Sequence, residues 1–191
     1  MDEIPDYMGK AFVAIEDERF YQHNGIDFKS IIRAGYQFFK TGGEEAQGAS
    51  TITQQLLKNT VFTDWTSEGN NKIKKIKRKI QEQYLALEIT KYYSKDEILE
   101  TYLNTVPFLY NAYGIEMAAR TYFDKSADKL NLLESATLIG MLKGTAYYNP
   151  VTQPERSQAR RNIVLAQMVK RDKLEQDKLA ALQKRPLRID F

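Results

Sequence analysis

The sequence predicts a mainly α-helical fold, on three observations. Apolar residues recur at three- and four-residue spacings along most of the chain, the period of a helix face. Two capping signatures, Thr51 with Gln54 and Ser94 with Glu97, stand directly before such runs. No alternating apolar–polar pattern persists beyond a few residues, which leaves room only for a short hairpin in a loop.

The elements follow in order. Pro5 suits a first helical turn, where its missing N–H is no loss, and a helix is expected from there to about Glu16. Asp27 can cap a second helix, which carries Ile31, Ile32, Tyr36 and Phe39 and stops at Gly42-Gly43. Thr51 and Gln54 open a third. Thr63 to Asn71 is polar, contains Gly69 and reads as a mobile loop. A helix from about Lys72 to Tyr92 comes next. Its Ile73, Ile76, Ile80, Tyr84 and Leu87 form one apolar stripe, with Arg78 and Glu82 on the opposite face and Leu85 and Ile89 further along that same face. Apolar on two sides in its second half, it is expected to be a buried central helix whose first half points charge into a cleft. Ser94 and Glu97 open a helix through Ile98, Leu99, Tyr102 and Leu103, ended by Pro107. Phe108 to Tyr113 is an aromatic loop. Further helices are expected at about Ile115–Phe123 and Leu132–Leu142, another from Pro154, and a weaker one ending near Gln183.

Composition narrows the chemistry. At 191 residues, the chain is one domain with ample length for a core. The absence of cysteine excludes disulfide scaffolds, thiolate metal sites and cysteine nucleophiles. A single histidine, His23, excludes a multi-histidine metal site. The net charge of +3 is too small to argue for nucleic acid. No run approaches the roughly 20 apolar residues of a membrane span. The acidic start Met1-Asp2-Glu3 is unlike a signal peptide, so the chain reads as an excised domain.

Two segments suggest acid/base chemistry beside an anion. Glu16 follows the apolar stretch Ala11 to Ile15; desolvation of such a carboxylate poises it as a general base. The alternative is a solvated acidic turn. Glu82 is a second candidate carboxylate, and paired acids serve chemistry at a sugar anomeric centre; the alternative is an i,i+4 surface pair with Arg78. Lys58, Arg78, Lys79 and Lys143 could converge on a phosphate. The run Lys72–Lys79, six cations in eight positions, is a solvated face, an attraction for anionic lipid or pyrophosphate, or, as a third option, a nucleic-acid contact. Its interleaved isoleucines look like core rather than base-stacking residues. Ser50 and Thr51 sit at a helix start that favours anions, and His23 reads as a structural turn residue.

Together these segments resemble the peptidoglycan glycosyltransferases of glycosyltransferase family 51, the domain of monofunctional transglycosylases and class A penicillin-binding proteins. The family's first motif appears as Glu16-Asp17-Glu18-Arg19-Phe20-Tyr21-Gln22-His23-Asn24-Gly25. The second is Gly48-Ala49-Ser50-Thr51-Ile52-Thr53-Gln54-Gln55-Leu56-Leu57-Lys58-Asn59, and the third Arg78-Lys79-Ile80-Gln81-Glu82. The fourth is Lys95 to Asn104, and the fifth Leu133 to Gly144. After the fourth motif the family's glycine-rich stretch is replaced here by Pro107-Phe108-Leu109-Tyr110-Asn111.

The resemblance implies a lysozyme-like, two-lobed helical fold around a long cleft, with a smaller membrane-proximal lobe at roughly 26–75. The implied reaction polymerises lipid II, a disaccharide-pentapeptide on undecaprenyl pyrophosphate. Glu16 would take the proton from the acceptor's 4-hydroxyl. Lys58, Arg78 and Lys79 would stabilise the departing pyrophosphate. Glu82, the second carboxylate, would position these groups or the leaving group. Ser50, Thr51, Gln55 and Asn59 would bind donor phosphate or sugar, and Lys143 would line the cleft. Asp17, Phe20 and His23 would shape the turn that meets substrate. No tightly bound cofactor is implied, although a divalent cation, Mg2+ or Mn2+, could assist the pyrophosphate. The implied partners are lipid II, the growing glycan strand, the membrane surface, a linked transpeptidase domain and moenomycin-type inhibitors, but no nucleic acid. The implied location is the outer face of the bacterial cytoplasmic membrane, with an anchoring helix outside this chain. The ending Lys184-Arg185-Pro186-Leu187 resembles the junction after the transferase domain of bifunctional proteins. Phe28, Ile31, Ile32, Phe38 and Phe39 exceed one core-facing stripe and predict a helix that touches lipid. The main rival is a lysozyme-like lytic hydrolase, disfavoured by cations that a hydrolase has no pyrophosphate to use. A second rival is a non-catalytic glycan- or membrane-binding module.

Overall fold

The computed structural model describes residues 4–41, 48–63, 69 and 71–191. Its described residues are mainly helical and hold two isolated β-bridges, Pro107 with Tyr113 and Phe123 with Asp190. The chain divides into two compact units, one of residues 1–18 and 100–191, the other Arg19–Leu99.

In the first unit, α1 (Asp6–Glu16), α7 (Leu132–Met141) and α8 (Pro154–Lys170) pack against one another. Helix α7 is buried from Ser135 to Met141, apolar residues beside small polar ones. This is the helix buried all round, and its neighbours α1 and α8 each present a broad apolar face to the core. Asn131 caps α7 in a full capping box with Glu134. Helix α8 starts with proline at its first turn, as expected from Pro154. Gly114 opens α6 (Gly114–Phe123) at φ +74°; a Cβ there would lie 2.3 Å from the Asn104 carbonyl oxygen, so only glycine fits. Helix α9 (Gln176–Lys184) follows α8, and the chain beyond it is held by Arg161, whose buried guanidinium donates to the Arg185 carbonyl at 2.7 Å.

In the second unit, Asp27 caps α2 (Phe28–Lys40), its carboxylate accepting from the Ser30 N–H at 3.1 Å. The glycine pair expected to end α2 lies outside the described residues, as does most of the loop expected at 63–71. Thr51 and Gln54 form the capping box of α3 (Ile52–Thr60). Helix α4 (Lys72–Ile89) packs on α3. It stops three residues short of Tyr92, where the chain tightens into turns: the Lys91 N–H bonds the Glu88 carbonyl at 3.0 Å and the Tyr92 N–H the Ile89 carbonyl at 3.1 Å. The Ser94 N–H and hydroxyl bond Glu97 at the start of α5 (Lys95–Thr105), which begins in this unit and ends in the other.

The expectation for α4 is overturned. Ile73, Ile76, Ile80 and Tyr84 are exposed, Ile73 at 80%, while Glu82 and Ala86 are the buried residues. The reason is close backbone packing. Gly25, at φ +91°, lies against α4 so tightly that a Cβ would sit 2.2 Å from the Ala86 carbonyl oxygen. Only the small Ala86 face admits that approach, so the isoleucine stripe turns away. Core packing therefore does not explain the isoleucines between the lysines of this helix.

Candidate active site

Four helices and one turn position the residues singled out by sequence. The first-motif turn, Arg19 to Gly25, is fixed within the second unit from several sides. Phe20 is buried, with the Lys95 ammonium 4.4 Å from its ring centroid. The Tyr21 hydroxyl donates to Asp96 at 2.9 Å. His23 Nδ1 accepts from the Gly25 N–H at 3.2 Å, which ties the histidine to the turn. The Thr51 hydroxyl donates to the Gly25 carbonyl at 2.6 Å while also capping α3. Phe20 and Thr51 are both buried and hold the turn.

The cations of the second and third motifs come together around one carboxylate. Glu82 has no exposed surface. It is paired with Arg78 through Oε1, and Lys79 Nζ lies 2.6 Å from its Oε2. The same Lys79 nitrogen donates to Ser50 Oγ at 2.9 Å. Lys58 reaches the same group: burial holds its ammonium below the ordinary lysine value, Glu82 pulls it back up, and Lys79 and Arg78 push it down again. The surface-pair alternative for Glu82 is therefore wrong. A buried carboxylate fixes two cations and faces a third, and the cluster carries a net positive charge. Gln55 and Asn59 lie half-buried on α3, the helix that carries Lys58. Lys143 is exposed in the first unit, just after α7.

In the first unit, Glu16 is the last residue of α1, and its side chain is 18% exposed. The ring of Tyr102, stacked on Phe12 at 4.6 Å, is buried beside it; that burial, and secondarily the Glu16 charge, raise the tyrosine's pKa. Arg160 Nη2 lies 3.9 Å from Glu16 Oε1, and Arg171 pairs with Glu18. Asp17 is buried at the end of α1, its N–H bonded to the Val13 carbonyl at 3.1 Å. Sequence reasoning missed Arg160 and Arg171, and named Lys95 only as the first residue of the fourth motif. Nothing in the local pattern marks the two arginines, since their partners stand at the other end of the chain.

Residues 1–169 match the family model described as transglycosylase. The chain belongs to the transglycosylase family. It is therefore an enzyme of the glycosyl-transfer class. The chain is 46% identical over 171 residues to penicillin-binding protein 1A/1B of Bacillus subtilis, covering 89% of this chain and 18% of that protein. Against penicillin-binding protein 1A of Escherichia coli it is 43% identical over 169 residues, 88% of this chain and 19% of that one. Against penicillin-binding protein 1A of Clostridium perfringens strain 13 the identity is 48% over 155 residues, 80% and 22%. The crystal structure of penicillin-binding protein 1A from Haemophilus influenzae matches the whole chain with a TM-score of 0.57 at 23% identity, over 17% of that protein; this likeness concerns the fold. The chain thus spans about a fifth of the length of these relatives.

Proposed function

We propose that this domain is a peptidoglycan glycosyltransferase that polymerises lipid II into glycan strands. The observation that carries the reading is the buried Glu82 with Arg78 and Lys79 fixed on it and half-buried Lys58 beside them. Preorganised cations of this kind serve a reaction in which negative charge builds on a departing pyrophosphate. A glycan hydrolase has no such leaving group.

In the proposed reaction, the growing strand on its lipid pyrophosphate is the donor and lipid II the acceptor. The acceptor's 4-oxygen forms a bond to the donor's anomeric carbon as the bond from that carbon to the pyrophosphate oxygen breaks. The electron pair leaves with the pyrophosphate, where Lys58, Arg78 and Lys79 meet the charge. The hydroxyl proton passes to Glu16. One displacement inverts the anomeric centre. Ser50, bonded to Lys79, and Gln55 and Asn59 on α3 are available to donor phosphate or sugar. Lys143 lines the cleft in this reading. Among the described residues no group of three or more acidic or histidine side chains fits a metal ion; an assisting Mg2+ or Mn2+ would be bound through the substrate's own pyrophosphate.

The membrane is part of the proposal. No described helix is long and apolar enough to cross a bilayer. Helix α2 has no buried residue, and Phe28, Ile32, Tyr36, Phe38 and Phe39 are exposed, Phe39 at 85%. Such a face suits a lipid surface from which a polyprenyl substrate is drawn. The full-length protein is anchored on the outer face of the cytoplasmic membrane, carries a transpeptidase domain and binds moenomycin-type inhibitors at this domain.

Incubation with labelled lipid II in detergent, followed by separation of glycan products, tests the reading. Polymer should appear. Shortening of added peptidoglycan without polymer would instead indicate the lytic hydrolase.

A further inference from the structure

Helix α8 sends two arginines to the acidic turn that ends α1. At its C-terminal end, Arg171 pairs with Glu18. In its first half, Arg160 approaches Glu16, Nη2 to Oε1, at 3.9 Å. The two side chains are 12% and 18% exposed, so the pair is largely desolvated. Arg160 is held from other directions as well. Its stem lies against Gly140 of α7, where an added Cβ would come within 3.1 Å of the Arg160 Cγ. Its guanidinium carbon stands 5.7 Å from the Tyr148 ring centroid. Its buried Nε meets no acceptor in the structure.

A simple staple between α1 and α8 would explain little of this. A buried guanidinium is costly unless its donors are used, and an apolar pair would pack these helices at lower cost. The contact is also longer than a hydrogen bond. Arg160 therefore acts on Glu16 through charge and placement, and does not itself occupy a lone pair that must receive a proton.

We infer that Arg160 is the positioning residue for Glu16: clamped by Gly140 and Tyr148, its guanidinium holds the carboxylate at the end of α1 in the orientation that takes the acceptor's proton. The inference rests on the proposed role of Glu16 as base. It assigns a task to α8, which none of the five motifs includes.

The test uses initial rates of lipid II polymerisation across substrate concentrations, with thermal melting alongside. Arg160→Gln should lower kcat by about 10- to 100-fold, the scale of a misplaced catalytic group, with KM within about twofold. Arg160→Lys keeps the charge and should recover most of the loss. If the role were packing alone, the glutamine and lysine variants would fall together, which would overturn the inference, as would a wild-type kcat in Arg160→Gln. Should Arg160→Gln not fold, Tyr148→Leu carries the test: it removes the face under the guanidinium and should lower kcat with KM unchanged, and an unchanged kcat would overturn the inference. Glu16→Gln separates the two failures. Full activity in Glu16→Gln would sink the proposed base; an inactive Glu16→Gln with an unaffected Arg160→Gln would sink only the positioning role.

Discussion

Lys79 Nζ stands 2.6 Å from Oε2 of Glu82, a carboxylate with no surface of its own. The helical spacing of three residues makes the contact, and Arg78, four residues before Glu82, pairs with the other oxygen. Glu82 therefore neutralises part of a cluster that would otherwise repel itself. Glu82→Gln keeps the shape and leaves the cations facing one another. The expected loss of stability is about 3 kcal/mol, the lower end for a broken buried pair because Lys79 is 42% exposed. Urea unfolding measures it; a change of less than about 1 kcal/mol would mean that the pair behaves as a surface contact.

Lys58 should matter to rate more than to fold. Lys58→Ala is expected to cost at least about 2 kcal/mol of transition-state stabilisation, roughly 30-fold in kcat/KM, by analogy with losing one charge-stabilising donor. Burial has lowered its pKa, so its charge is lost at a lower pH than an ordinary lysine's. Polymerisation in the wild type should fall as pH rises through that lowered value. Lys58→Arg should move the alkaline limb upward. A wild-type rate in Lys58→Ala would remove the pyrophosphate role.

Asp27 should make the second unit acid-sensitive. Burial pushes its carboxyl up, but the Ser30 N–H, the Ser30 hydroxyl and Arg19 at 2.7 Å outweigh that and hold it below the ordinary aspartate range. A depressed folded value means stability that is present above the unfolded value, about 3.9, and lost as pH falls through the folded one. Asp27→Ala should therefore cost about 1–2 kcal/mol near neutrality, as a lost cap and charge partner. The gap to wild type should narrow below about pH 4. Denaturation curves at pH 7 and pH 3 check this; a gap independent of pH would leave only the cap.

The exposed face of α2 should bind lipid. A triple change of Phe28, Ile32 and Phe39 to serine removes side chains each worth about 1.5–3 kcal/mol when buried. Co-sedimentation with anionic vesicles should fall at least tenfold while the melting temperature stays within a few degrees, since none of the three is buried. Equal partitioning of wild type and variant would contradict a lipid-facing role.

Local signals in the sequence carried most of the fold. The Thr51–Gln54 and Ser94–Glu97 boxes and the Asp27 cap are made within four residues, so their chemistry is readable without tertiary structure. Helix α4 shows the limit. A period of 3.6 reveals that Ile73, Ile76 and Ile80 share a face, but not which face meets the core. The tight approach of Gly25 to Ala86 decided that, and it is a contact between distant segments. Glu82 was legible as a candidate, while its complete burial was not. Arg160 was invisible for the same reason: Glu16 and Arg160 meet only after α1 and α8 pack.

The central claim is that Glu16 is the base. Polymerisation of labelled lipid II by wild type and Glu16→Gln, at matched concentration and with folding verified by melting, tests it most directly. The amide keeps the side chain's size and cannot accept the proton, so polymer formation should fall by a factor on the order of 10²–10⁴. A Glu16→Gln variant that makes polymer at the wild-type rate would contradict the account.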